Sequence, residues 1–330
     1  MISTIYIESE IRQHAVTKEV LARFPKATLI ECDRYTEVFN RKSQNFRLQK
    51  KQPSLILAKK HQGFVLEAPD SYGIGGDNNY YFSHMLNCIY DCRYCFLQGM
   101  YRSAHYVLFV NYEDFSNEIN KKLSIHNGEK VWFYSGYDCD SLALDPVTNF
   151  AEYILPFFRQ QPLAHLEFRT KSTQIRSLLK AEPIPNCVIA FSLSPENITQ
   201  ALEDKTPSLS HRIEAMKKLQ LAGWNVGIRF EPLIYMDDYK SHYGEMFNTV
   251  FEQLDLAKIH SISVGAFRVP KGYFKNMTKL YPDEKLFAGP LEESDGMIAY
   301  RQDLQEDMLA WCSEKIEAHA PACHHYQCRN

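Results

Sequence analysis

No apolar run in the 330 residues approaches the length of a membrane span. Nothing repeats, and no tract is of low complexity. The opening MISTIYIESEIRQ lacks the basic-then-apolar order of a secretory leader. Neither sign of charge dominates: 37 Lys and Arg stand against 40 Asp and Glu, a net charge of -3, which excludes a surface wholly coated for nucleic acid. The glycine cluster Gly73-Ile74-Gly75-Gly76 lacks the Gly-Lys-Ser/Thr of a phosphate loop and reads as a flexible turn. What remains, at 45% hydrophobic and 23% charged, is an ordinary globule long enough for one large α/β domain or two smaller ones. The expectation is a cytoplasmic, monomeric protein with no membrane association. Its nine cysteines would then meet a reducing compartment, where metal binding or catalysis outranks disulfides.

Short β-rich runs alternate with helical patterns, the order expected of βαβ units around a parallel sheet. Strands are predicted at 80–86, 131–136, 166–170, 188–193, 225–230 and 261–267, and helices at 113–126, 150–159, 174–179, 210–221 and 242–256. Six such units predict an α/β fold of partial (β/α)6 barrel type, with ligands at the carboxyl ends of the strands. Residues 1–69 read as a small N-terminal α/β subdomain, 70–298 as the partial barrel and 299–330 as a C-terminal helix and tail packed on it. Local charge is uneven. Arg41, Lys42, Arg47, Lys50, Lys51, Lys59 and Lys60 form one acid-free stretch, and Arg268, Lys271, Lys275 and Lys279 a second, interleaved with Tyr273 and Phe274. Cations mixed with aromatics suit nucleic acid, and equally suit solvated faces.

Three cysteines, Cys88, Cys92 and Cys95, form a C-x3-C-x2-C triplet. A four-iron four-sulfur (4Fe-4S) cluster normally takes four thiolates, so three leave one iron open to do chemistry. Zinc closed by His84, a closed cluster, or unligated core cysteines are the other readings of the same residues. Cys32, Cys187 and Cys312 lie in apolar or helical settings and read as core. The tail residues Cys323, His324, His325 and Cys328 have the side chains of a metal site but match no finger or ribbon, and a frayed terminus is expected there.

From Cys88 the run CIYDCRYCFLQGMYRSAHYVLFVNYEDF resembles the spore photoproduct lyase family of radical S-adenosylmethionine (SAM) enzymes. Further similarity follows in order: Arg169-Thr170-Lys171, Phe191-Ser192-Leu193-Ser194, the block TPSLSHRIEAMKKLQLAGWNVGIRFEPLIY and Arg268-Val269-Pro270. The resemblance spans nearly the whole chain. It implies a partial (β/α)6 radical SAM barrel, and a 5′-deoxyadenosyl radical that takes hydrogen from a linked thymine pair in UV-damaged DNA. The methylene bridge then breaks, a cysteine returns hydrogen to the product radical, and tyrosines near the cluster help to recycle SAM.

By motif match the resemblance assigns the cluster to Cys88, Cys92 and Cys95. It places Tyr94 and Phe96 beside the cofactor, and Lys171, Ser192 and Ser194 in segments that touch SAM, with Arg229 and Glu231 in the same pocket. Cys139 is the expected hydrogen donor, although registration leaves it displaced by about two residues with Tyr137 nearer the family position; a shift of two along an extended strand keeps one face. Cys139, Tyr94 and Tyr137 are therefore the expected catalytic residues. Phe96 stands where the family has tyrosine, which removes a phenol from any radical relay and predicts impaired recycling of SAM. The family's DNA-wedging hairpin is matched here by Glu292-Glu293-Ser294-Asp295-Gly296, whose carboxylates repel a phosphate backbone.

DNA is thus the expected substrate, and a flavodoxin or ferredoxin the expected electron donor. Two other readings stand beside this one. The same machinery would serve another nucleotide or a peptide, or the chain would be a non-catalytic, metal-stabilised nucleic-acid-binding protein with the triplet closed by His84.

Overall fold

The computed structural model describes residues 2–69 and 72–328. The amino-terminal part lays down β1 (Thr4–Glu8), α1 (Ala15–Ala22), β2 (Thr28–Cys32), α2 (Phe46–Lys51) and β3 (Leu55–Ala58). Next come β4 (Leu66–Glu67), β5 (Asn78–Phe82), β6 (Met85–Leu86), β7 (Asp91–Cys92), α3 (Leu97–Met100) and β8 (Tyr106–Phe109). Alternation follows: α4 (Tyr112–Ile125), β9 (Val131–Ser135), α5 (Asp145–Thr148), α6 (Phe150–Arg159), β10 (Ala164–Thr170), α7 (Arg176–Lys180), β11 (Cys187–Ser192) and α8 (Glu196–Leu202). Beyond the short β12 (Glu203–Asp204) run α9 (Leu209–Leu221), β13 (Asn225–Leu233), α10 (Tyr239–Gln253), β14 (Ile259–Ala266), β15 (Arg268–Pro270) and α11 (Lys271–Leu280). The chain closes with β16 (Leu291–Ser294), β17 (Met297–Tyr300), α12 (Gln302–His319) and β18 (His325–Gln327).

The six expected strands lie in one eight-stranded sheet, ordered β18-β14-β13-β11-β10-β9-β5-β4, with β18 and β4 added at its edges. β5, β9, β10, β11, β13 and β14 run parallel, as a partial barrel requires. The runs VWFYS in β9 and CVIAFS in β11 are buried at every position, because helices cover the outer face and the curl of the sheet covers the inner one. The predicted strand 80–86 divides in two. β5 ends at Phe82 and the chain crosses to a second sheet, where β6 pairs antiparallel with β8. That sheet, β2-β1-β3-β8-β6, takes two of its five strands from beyond residue 69. The boundary expected at 69/70 touches residues 70 and 71, which lie outside the described residues, as do residue 1 and residues 329–330.

The tail corrects the expectation of a frayed end. β18 adds parallel to β14 with His325 opposite Ile262 and Gln327 opposite Val264, so backbone hydrogen bonds hold it. Its side chains go to separate partners: Cys323 Sγ to the Leu256 carbonyl at 3.6 Å, His325 Nδ1 to Glu317 at 3.7 Å, and Cys328 Sγ to Glu231 at 3.4 Å. The acidic stretch is a hairpin as expected, with Asp295 and Gly296 as its two-residue turn at φ 50° and 76°, the positive-φ pair that tight hairpins need. Among the described residues no helix is long and apolar enough to cross a membrane.

Candidate active site

The triplet loop leaves β6 through Asn87, which takes a left-handed φ of 67° and donates from its side chain to the carbonyls of Ser103 and His105 at 2.7 and 2.8 Å. Cys92 lies on β7, paired antiparallel with β12 so that Cys92 faces Glu203 in register. Cys95 then opens the turn into α3, its N–H on the Cys92 carbonyl at 3.1 Å. Gln98 on α3 reaches back to Asp91 at 2.9 Å and to the Cys92 carbonyl at 3.3 Å. Burial would raise the Asp91 carboxyl, but Lys50 at 3.3 Å and Arg93 hold it below the usual range. Lys50, part of a basic stretch suited equally to nucleic acid and to a solvated face, is thus turned inward; Arg41, Lys42, Arg47 and Lys51 of that stretch are exposed.

α3 is pinned from outside by α11, and Gly99 makes that contact possible. A Cβ there would stand 2.2 Å from the Tyr273 carbonyl oxygen, while Asn276 donates to the Gly99 carbonyl at 2.8 Å. Gly99→Ala is expected to push α11 off the loop and cost about 1–3 kcal/mol. Thermal melting checks this, and an unchanged melting temperature would contradict the contact.

The three cysteines line a cleft of ≈ 880 Å³ at the carboxyl ends of the strands, together with Cys139, Lys171 and Ser192. Their surroundings bear on what they hold. Zinc binds thiolates at about 2.3 Å, which draws its ligand atoms together. Among the described residues, Glu8, Glu10 and His61 are the group of three or more such atoms found within 4.8 Å of one another, and the triplet is not. At Glu10, Lys59 and Arg34 already supply counter-charge. His84 does not close the triplet either. Its ring stacks on Phe150 with centroids 4.0 Å apart and planes 3° off parallel, and burial pushes its pKa down to about 3. Among the described residues, three thiols set apart from one another, with His84 held elsewhere, fit a polynuclear cluster better than a single ion. The zinc-closed, binding-module reading loses its ligand.

The loop after β9 builds the facing wall. Gly136 turns the chain at φ 83°, and a Cβ there would meet Ser141 Oγ at 2.4 Å. Asp140 locks the turn: it accepts from the Leu142 and Ala143 N–H groups at 3.0 and 2.9 Å, from Thr170 Oγ1 at 2.6 Å and from the Lys171 N–H at 2.7 Å. Cys139, held just before it, is 8% exposed. Burial first, then the charges near Cys88, Asp138 and Asp140, pushes its thiol far above the usual range, so it keeps its S–H hydrogen at neutral pH. Tyr137 packs against Tyr81 at 4.3 Å, Phe96 at 5.5 Å and Tyr72 at 6.0 Å between ring centroids. Phe96 meets Tyr273 at 6.4 Å, which completes an aromatic wall suited to stacking a flat ligand.

The remaining expected residues divide by depth. Lys171 and Ser192 reach the cleft, as does Glu231. Ser194 does not line it; its hydroxyl donates to Glu203 at 2.9 Å behind the wall. Arg229 also lies below the cleft, fully buried and donating to Glu167 at 2.7 Å. Glu231, which does reach the cleft, pairs with Arg169 at 3.0 Å. The two ion pairs form layers inside the curled sheet, the lower dry and the upper opening on the cleft. Ser294, Asp295 and Met297 bring the acidic hairpin to the mouth. Sequence reading missed Asp140, Arg169, Glu203, Arg212 and Cys328 as parts of the site. The Asp140 turn was legible in Asp140-Ser141-Leu142-Ala143, since aspartate commonly caps N–H groups two and three residues on, but nothing local signals the others.

The sequence matches the family described as spore photoproduct lyase over residues 3–296. Spore photoproduct lyase of Bacillus subtilis (strain 168) is 24% identical over 290 residues, covering 86% of this chain and 83% of the relative. That of Geobacillus sp. (strain Y412MC61) is 24% identical over 202 residues, 60% of this chain and 59% of the relative. Among solved structures, spore photoproduct lyase complexed with dinucleoside spore photoproduct has a TM-score of 0.85 at 19% identity, covering 100% of this chain and 98% of that one. A double mutant with bound AdoMet (SAM) and the same dinucleoside has a TM-score of 0.86 at 19% identity, with the same coverage. At that identity the likeness is one of fold.

Proposed function

The chain belongs to the spore photoproduct lyase family, and from that membership we propose that it is a radical SAM lyase that splits spore photoproduct, a methylene-bridged thymine pair in DNA. The observation that carries this reading is convergence: three thiols, the protonated Cys139 and the cation Lys171 meet in one cleft at the carboxyl ends of six parallel strands. Cys88, Cys92 and Cys95 would hold a 4Fe-4S cluster, and Lys171 and Ser192 would contact SAM. Such a cluster, given SAM and an electron from a donor of flavodoxin or ferredoxin type, would supply one-electron cleavage of SAM to a 5′-deoxyadenosyl radical.

The protein's own part is orientation and hydrogen supply. Tyr72, Tyr81, Phe96 and Tyr137 offer ring faces for two thymines. Cys139 Sγ gives its hydrogen atom to the product radical, forming C–H and leaving a thiyl. The Asp140 clamp on Lys171 keeps that thiol and the SAM-side cation in one frame.

The test is anaerobic reconstitution followed by product analysis with SAM, reductant and the dinucleoside lesion. Wild type is expected to give paired thymidines. Cys139→Ala is expected to keep SAM cleavage while conversion falls by about tenfold or more, equivalent to about 1.4 kcal/mol of barrier. Full conversion by the variant would remove Cys139 from the reaction. A second reading, the same chemistry on another nucleotide or a peptide, is favoured by Phe96 and by Asp295 at the mouth; SAM cleavage without lesion conversion in wild type would select it.

A further inference from the structure

Beneath the cysteine loop lies a charge network centred on Glu203 and Arg212, two residues that the reaction above does not use. Glu203 is 2% exposed and its carboxylate is met by four side chains. Tyr94 donates to it, Ser194 Oγ donates at 2.9 Å, Arg212 Nη2 donates at 2.5 Å, and Lys171 Nζ stands at 4.0 Å. Arg212 is wholly buried and donates also to the carbonyls of Ser192 and Pro207, at 3.0 and 2.9 Å, and to Thr206 Oγ1 at 2.7 Å. The backbone of Glu203 pairs with that of Cys92, and Arg93 N–H bonds the Leu202 carbonyl at 2.8 Å. One carboxylate thus joins the strand of the second cysteine, the tyrosine between the second and third, the cation at the cleft, and the end of β11. Arg212 and Glu203 thus form an ion pair with no exposed side-chain surface on either partner.

Stability alone is a weak reason for this pair, since apolar side chains of equal volume commonly serve a core as well or better. Its place against the loop points elsewhere. We propose that Glu203 and Arg212 are positioning residues that hold Cys92, Tyr94 and Lys171 in one frame, and whose opposite charges set the reduction potential of the cluster on this loop. The physical basis is that a buried negative charge disfavours adding an electron nearby and a buried positive charge favours it, in surroundings that screen poorly. This rests on the cluster assignment above.

The test compares wild type with Glu203→Gln, Arg212→Gln and the double variant, each reconstituted, for iron content and for midpoint potential by spectroscopically monitored titration. Glu203→Gln is expected to shift the potential upward, Arg212→Gln downward, and the double variant to return close to wild type. A merely structural pair would move both single variants the same way or not at all, and that result overturns the proposal. If Arg212→Gln does not fold, the upward shift in Glu203→Gln and its reversal in the neutral double variant still decide. A wild type that takes up no four-iron cluster overturns the underlying reading; a loaded wild type whose variants keep its potential overturns this proposal alone.

Discussion

Cys92→Ala is expected to abolish cluster uptake and reduce SAM cleavage to background while leaving the fold intact. Of the three thiols, Cys92 is the most enclosed, fixed by β7–β12 pairing and by Gln98 on its carbonyl. The two remaining thiols leave the cluster one ligand short, and His84, stacked on Phe150, is not placed to replace it. Alanine at 92 removes one sulfur and no backbone hydrogen bond, so the apoprotein should melt close to wild type. Iron and sulfide analysis after anaerobic reconstitution, with far-UV circular dichroism beside it, checks both halves. A variant that retains four irons and cleaves SAM would falsify the ligand assignment.

The second large effect concerns the dry ion pair under the cleft. Glu167 and Arg229 have no exposed side-chain surface, and Arg229 also donates to the Ile228 and Ser261 carbonyls at 2.9 and 3.1 Å. Arg229→Met leaves Glu167 buried with Arg169 as its remaining cation, at 3.0 Å. Breaking such a pair costs about 3–5 kcal/mol, a fall in melting temperature on the order of 10 °C for a chain of this size. The pH dependence has a definite sign. Burial opposes ionisation of Glu167, but Arg229 and then Arg169 outweigh it and bring the pKa from 4.5 to about 2. In wild type its stabilisation is complete above about pH 4.5 and is lost as pH falls toward 2. Without Arg229 the carboxyl loses its largest stabilising charge and its pKa rises, so the deficit should shrink in acid. Glu167→Gln combined with Arg229→Met should recover much of the loss. Melting curves from pH 7 to 3 decide, and a deficit that stays constant across that range would refute the pair's role.

How legible this was in advance depends on range. Strand and helix positions were readable because apolar runs such as VWFYS and CVIAFS are bounded locally, and the ends of α6 at Phe150 and Arg159 fell where the pattern placed them. The division of the 80–86 run was not, because Ser83 and His84 break it for a tertiary reason: the chain changes sheet there, and His84 fills the gap against Phe150. The tail read as frayed because its Cys and His spacing matches no finger or ribbon; β14 supplies the edge that makes His325–Gln327 a strand.

The sequence by itself determined the parallel α/β architecture and the cysteine triplet, since both follow from spacing over a few residues. Tertiary structure decided which polar residues face the cleft. Glu167 and Arg169, like Arg229 and Glu231, sit two apart on one strand and share a face, so periodicity cannot separate them. Depth along the barrel separates them: one layer lies below the floor and the other above it. Glu203 and Arg212 meet Cys92 only because β12 returns beside β7, a contact more than a hundred residues long in sequence. Short-range pattern encodes elements, whereas the charge placed around a reactive centre is set by which elements pack together.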